Sequence, residues 1–230
     1  MIEGNSLTTA SVLQAFSDEI ALQGGTVKDT FNDGRRLFVR SVLPQIKEVR
    51  ANDRLQGGVA LKACAGEVCV HPYVFRLVCS NGAIMAQAVA SRRVRAVFEW
   101  EQEEAVANVR EAVRACCAPE VFTASAQQIR SIRDAEVDLA LNVLPMLSRM
   151  PANMGARFLQ QIVQRFFDDG DQTRFGLMNA VTSVARDTAD PEARWDLEEF
   201  GGAIPVGAAR PVPRMPHRGA ARRKRGALVS

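Results

Sequence analysis

Arginine and lysine are the residues of this chain whose number and spacing point to chemistry. Arg210, Arg214, Arg218, Arg222, Arg223, Lys224 and Arg225 put seven cations into 16 positions with no acid among them. Such a run displaces counterions when it meets a nucleic-acid backbone, which gives an affinity that falls steeply with salt. It has no apolar stripe to lay on a membrane and no cysteine to carry a lipid. The same charge could serve as a solubility tail or dock on the acidic body of a neighbouring subunit.

Arg35, Arg36, Arg40, Lys47, Arg50 and Arg54 form a second basic run, and Arg92, Arg93 and Arg95 a third. A sheet face or rim lined with arginine could hold a phosphate backbone while the tail closes over it. The alternative is surface charge balanced by nearby acids, and only placement on one face separates the two. Arg76 lies in an otherwise apolar run. A buried guanidinium needs a partner, so either Glu67 or Glu99 pairs with it or it contacts a ligand.

The residues that could catalyse are poorly arranged for it. Cys79 would need a base to form thiolate; His71 is eight positions away, but a cysteine embedded in a β-run behaves as a small hydrophobe. Asp168, Asp169 and Asp171 surround Gly170 and read as a solvated helix end, whereas a metal-dependent nuclease draws acids from several elements. Cys64 and Cys69 lack a second cysteine pair at ligand spacing, and His71 and His217 do not complete a zinc site. Neither a phosphate-binding glycine loop nor a dinucleotide fingerprint occurs. The expectation is a protein that is not an enzyme and uses no cofactor or metal.

The whole-chain charge of +3 conceals how these residues are distributed. Residues 1–200 hold 22 of the 29 basic residues and all 26 acids, a balance of −4, so an acidic body precedes a basic tail. At 47% hydrophobic and 24% charged, the 230 residues suit one globular domain with an appendage. No apolar stretch reaches the roughly 18–20 residues that span a bilayer, and the start Met1-Ile2-Glu3-Gly4 lacks the layout of a secretory signal. A soluble cytoplasmic protein is expected, with Cys64, Cys69, Cys79, Cys116 and Cys117 reduced.

Periodicity supplies the elements that must position these residues. Leu7, Val12, Leu13, Phe16 and Ile20 predict an amphipathic helix closed by Gly24-Gly25. After the turn Asn32-Asp33-Gly34, residues 35–43 read as a strand. From Gly57 to Ala90 short β-rich runs alternate with glycines, and Ser80-Asn81-Gly82 predicts a tight hairpin turn that returns Ala83–Val89 beside Tyr73–Cys79. Beyond residue 101 the pattern becomes helical. One helix ends at Pro119; a second opens on a capping box at Ser125 and carries Ile129 to Leu144; a third spans Phe158–Phe167 and a fourth starts near Thr173. A fifth has Asp190 as N-cap, Pro191 at its first position and Gly201 as its stop. Strands followed by helices define an α+β protein, with an N-terminal helix, a mainly antiparallel sheet over about 35–90 and five helices. Residues 1–204 form its single domain. Residues 205–230, rich in proline, glycine and arginine, are expected to be a disordered basic tail.

Two segments resemble a known family. Tyr73-Val74-Phe75-Arg76-Leu77-Val78-Cys79-Ser80-Asn81-Gly82 is similar to the Arg-x-x-Cys-x-Asn-Gly core of a phage/plasmid-like family built on a domain of unknown function (DUF932). Phe175-Gly176-Leu177-Met178-Asn179-Ala180-Val181-Thr182 resembles that family's Asn-Ala-Val-Thr helix. The resemblance spans about residues 35–202 and implies a phage, plasmid or prophage setting without supplying an activity. Asn81-Gly82 reads as turn chemistry, and Asn179 and Thr182 as caps or packing.

These readings combine into one expectation: a non-enzymatic nucleic-acid-binding protein, DNA before RNA, acting in replication or recombination. It would work as a homo-oligomer, with single-strand binding or annealing as the activity. The alternative is a virion or assembly component whose tail docks on an acidic partner or a packaged genome.

Overall fold

The computed structural model describes residues 8–64, 66–95, 102–137 and 155–206. Its chain order is helix α1 (Thr9–Leu22), strands β1 (Thr26–Asn32), β2 (Arg36–Val42), β3 (Ile46–Arg50), β4 (Asp53–Cys64), β5 (Glu67–Arg76), β6 (Asn81–Ile84) and β7 (Arg92–Arg95). Helices α2 (Gln102–Cys117), α3 (Pro119–Ser131), α4 (Gly155–Asp168), α5 (Arg174–Arg186) and α6 (Pro191–Ala203) follow. The α+β order and the N-terminal helix stand as the sequence predicts. No helix among the described residues is long and apolar enough to cross a membrane.

Local chemistry sets most boundaries. Thr8 caps α1 by accepting from the Ser11 N–H at 3.1 Å, and Gly24 follows the helix at φ 70°, a conformation that favours glycine. Asp33 shapes the first hairpin by accepting from the Arg35 and Arg36 N–H groups at 3.0 and 2.7 Å. Thr173 and Asp190 cap α5 and α6, accepting from the N–H of Gly176 and Ala193.

All seven strands join one antiparallel sheet in the order β1-β2-β4-β5-β6, with β3 also on β4 and β7 also on β5. The two long strands are each shared lengthwise. β4 pairs with β3 through residues 53–56 and with β2 through residues 60–64. β5 pairs with β7 through residues 67–70 and with β6 through residues 73–76. Pro72, which has no N–H to offer, falls between those two segments.

Strand alternation divides the sheet into two faces. Leu37, Val39, Val59, Leu61, Val68 and Val70 pack under α1 and α2 against Phe16, Ile20, Val109 and Val113. Burying a side chain such as Phe16 or Ile20 stabilises by about 1.5–3 kcal/mol. Phe38, Ala60 and Tyr73 face the other way, against Trp195 of α6. A further core joins Leu55 and Val74 of the sheet to Phe122, Ile129, Phe166, Phe175 and Val181 of α3, α4 and α5.

An ion network buried under α6 fixes it to the sheet. Arg40, 3% exposed, donates from Nε to Glu198 Oε2 at 2.5 Å, while Arg194 reaches Glu198 at 3.2 Å and Asp29 at 2.8 Å. Burial pushes the Glu198 carboxyl up, against the pull of Arg40 and Arg194.

Several boundaries differ from the sequence reading. The sheet extends over residues 26–95, because β1 and β7 add strands beyond residues 35–90. Asn81-Gly82 is not the turn: residues 77–80 make it, Ser80 takes the positive φ of 52°, and Asn81 and Gly82 begin β6. Cys79 therefore lies in that turn rather than in a strand. α2 ends at Cys117, just before Pro119, as the sequence predicts, but Pro119 itself starts α3, which places Ser125 inside α3 rather than at its opening; Leu141 and Leu144 lie outside the described residues. Gly201 does not stop α6. Cβ atoms there would meet Thr182 Cγ2 at 2.6 Å and, from Gly202, overlap the Ile84 carbonyl, so these glycines serve close approach.

Candidate functional site

Strand register brings some of the predicted arginines together. Arg36 stands opposite Cys64, Cys64 opposite Glu67, and Glu67 opposite Arg95. Two residues inward, Phe38, Lys62, Cys69 and Arg93 form the next row. Residues two apart on a strand share a face, so Arg36, Lys62, Arg93 and Arg95 lie on the α6 face at one end of the sheet. The first row crosses three strand spacings, about 14 Å.

Acids offset part of this charge. Glu67 pairs with Arg95 at 3.1 Å and Arg93 at 3.6 Å, yet those arginine side chains remain 71% and 65% exposed. Glu192 of α6 takes Lys62 at 3.3 Å and Arg36 at 3.8 Å. A hydrogen bond from the Cys69 thiol, then Arg95, hold the Glu67 carboxyl below its usual range; burial pushes the Cys69 thiol up to about 11.

The other predicted residues disperse. Arg35 is exposed just before β2, and Arg92 turns its guanidinium back to the Val89 and Ser91 carbonyls. Arg40 is buried against Glu198 and cannot meet a phosphate. Arg50 pairs with Asp171 at 2.5 Å beside Phe175, and Arg54 is exposed on β4. Arg210, Arg214, Arg218, Arg222, Arg223, Lys224 and Arg225 lie outside the described residues. Lys62 was missed as a site residue: alternation groups Ala60, Lys62 and Cys64 on one face, but it takes the pairing of Arg36 with Cys64 to show that Arg36 shares it.

The resemblance segments meet at a second place. Arg76 grips Asp53 through Nε at 2.8 Å and Nη2 at 2.6 Å. Glu67 is not its partner: register sets Leu55 opposite Arg76, so Asp53 is near, while Glu67 lies at the far end of β5. Glu99 lies outside the described residues. Arg76 also reaches Cys79 Sγ at 3.2 Å, and Arg186 of α5 donates to the Cys79 carbonyl at 2.6 Å. His71 is elsewhere, packed on Trp195 at 5.9 Å.

Asn81 ties the segments together. Its Nδ2 donates to Thr182 Oγ1 at 2.7 Å. Between the turn after β5 and the faces of α4 and α5 lies a cavity of about 460 Å³, lined by Arg76, Asn81, Arg165, Asn179, Ser183 and Arg186, with Cys79 and Asp169 also on its wall. Asn81 and Asn179 each carry a buried Oδ1 with no hydrogen-bond partner among the described residues. Reading Asn81 as turn chemistry concealed this arrangement. The signal present in the sequence was the pairing of two motifs too far apart to be one local structure.

An α+β fold whose two motif segments close on one polar cavity defines the class of protein. The chain matches the family described as a domain of unknown function (DUF932) over residues 7–224 and belongs to that family. The match is longer than residues 35–202 at both ends, taking in α1 and six of the seven tail cations. Neither the search of curated proteins nor the search of solved structures gives a match.

Proposed function

We propose that this protein binds nucleic acid without catalysing chemistry on it, DNA before RNA, in the replication or recombination of a phage or plasmid. The observation that carries the reading is the tail, with seven cations and no acid over residues 210–225. The placement of Arg36, Lys62, Arg93 and Arg95 on one end of one sheet face supports it, because that end offers the tail a second phosphate-contacting surface. Work as a homo-oligomer in the host cytoplasm, with single-strand binding or annealing as the activity, belongs to the same proposal.

Binding of single- and double-stranded DNA, measured against salt for the full chain and for a chain ending at residue 206, tests it. The full chain is expected to bind at low salt. Loss of seven phosphate contacts reduces the salt slope by up to about 5 on a single strand. Absence of binding at low salt overturns the reading, and binding undiminished by the deletion moves the site to the sheet end.

One observation favours the assembly reading. A groove of about 640 Å³ between the ends of α4 and α5 is lined by Asp168, Asp169, Asp187 and Asp190, with Arg165 the one cation among its described lining residues. An acidic groove on one subunit suits an arginine-rich tail from another. In that case tail deletion changes the mass measured by light scattering and leaves DNA binding unaltered.

A further inference from the structure

Strand β7 leaves one edge of the sheet open. It pairs with β5 along residues 92–95, and no described strand lies on its other side. In an antiparallel strand every second residue directs its N–H and C=O away from a given neighbour. β7 therefore presents outward donors and acceptors that no described backbone group takes up. Such an edge is a template for a further strand. The ground beside it has room for one. A groove of about 300 Å³ runs between β7 and α2, whose wall there includes Asn108, Ala112 and Ala115. These three recur at helical spacing on one stripe of α2, and the two alanines leave depth where larger side chains would close the groove.

Charge selects the occupant. Arg92, Arg93 and Arg95 line the groove, and Glu111 is the one acid among its described lining residues. Arg93 and Arg95 stand two apart on the face away from α2, and the single carboxylate paired with both, Glu67, reaches them from the β5 side. A strand added antiparallel to β7 sets one of its residues directly opposite each of these arginines, where an opposite charge stabilises the pairing. Those two positions are also two apart in the incoming chain. The residue between them lies opposite Val94, which packs toward α2, so a small or apolar side chain fits there beside Ala112 and Ala115. The edge thus favours a segment in which acids alternate with apolar residues.

We propose that the β7 edge is a docking site for an extended acidic segment of a partner protein. The segment adds to the sheet beside β7, with alternate carboxylates on Arg93 and Arg95 and its intervening side chains in the groove against α2. This protein-binding activity goes beyond the nucleic-acid reading. Because Arg93 and Arg95 also belong to the sheet end, docking withdraws them from phosphate.

The test titrates the full chain into a short fluorescein-labelled peptide that alternates glutamate with valine, followed by fluorescence anisotropy. Three further peptides accompany it: one with lysine for every glutamate, one N-methylated at the glutamates and one N-methylated at the valines. The acidic peptide is expected to bind saturably and the lysine peptide is not. An added strand directs one alternate set of N–H groups to β7 and the other to solvent. One methylated peptide should therefore bind as the parent does, and the other should lose about tenfold or more. Asn108→Trp, at an exposed position of α2, fills the groove and should weaken the acidic peptide about tenfold while DNA binding stays unchanged. The proposal is overturned if the acidic peptide does not saturate, if the lysine peptide binds as well, or if Asn108→Trp binds the peptide as before. It is also overturned if the two methylated peptides behave alike, which marks a charge contact without strand addition. DNA binding is measured on the same chain without peptide, so failure of either reading is visible without the other.

Discussion

Asn81 on β6 and Thr182 on α5, 101 residues apart, are joined by a buried hydrogen bond of 2.7 Å. It connects the strand side of the motif cavity to its helix side. Thr182→Val leaves the Asn81 amide with only the Asn179 carbonyl at 3.4 Å. The expected loss is about 1–3 kcal/mol, read from urea unfolding. A double-mutant cycle with Asn81→Ala should return a coupling of about 0.5–3 kcal/mol; simple additivity would show that the two side chains do not act as a pair.

Gly202→Ala tests how α6 docks. A Cβ at that position overlaps the Ile84 carbonyl, which belongs to the backbone of β6 and cannot rotate away. Destabilisation of about 1–3 kcal/mol or more is expected. Gly201→Ala meets the Thr182 methyl group at 2.6 Å, a side-chain atom, and should cost less. Equal thermal stability of Gly202→Ala and the parent protein would contradict the close approach.

The contrast between those glycines and the rest of the chain shows where sequence reasoning reached. Thr173 and Asp190 announced their helices because capping is local: the residue that accepts and the N–H that donates lie three positions apart. Turn residues likewise marked β2, which follows Asn32-Asp33-Gly34, and glycines bounded the β-rich run that holds most of β4. Gly201 misled because a glycine after an apolar run has the same appearance whether it ends a helix or lets one approach a neighbouring element, here Thr182 of α5 for Gly201 and Ile84 of β6 for Gly202. Asn81-Gly82 misled for the same reason, its partner being Thr182 rather than its own turn. Arg40 and Arg36 are alike in sequence context, yet one is sealed beneath α6 by Glu198 and the other stands at the open end. Only register and packing distinguish them.

His71 makes stability depend on acidity. Burial, then the nearby charge of Arg93, lower its pKa to about 4 from 6.5. The unfolded chain therefore binds the proton more readily, and folding stability rises with pH between those values. The contribution is complete above about pH 6.5 and is lost as pH falls through about 4, an effect of roughly 3 kcal/mol. Urea unfolding of the parent and of His71→Phe at neutral and acid pH isolates it from the carboxylates. The difference between the two proteins should shrink or change sign as pH falls, and a constant difference would assign no linkage to His71.

Glu67 stands opposite Arg95 in register and pairs with both Arg95 and Arg93. If the sheet end contacts phosphate, this carboxylate restrains it. Glu67→Gln keeps the shape of the side chain while removing the charge, so DNA affinity at low salt should rise severalfold. Arg93→Ala combined with Arg95→Ala should lower affinity and reduce the salt slope by about 2. Unchanged salt slopes in both variants would leave the tail as the only phosphate-binding part of the chain.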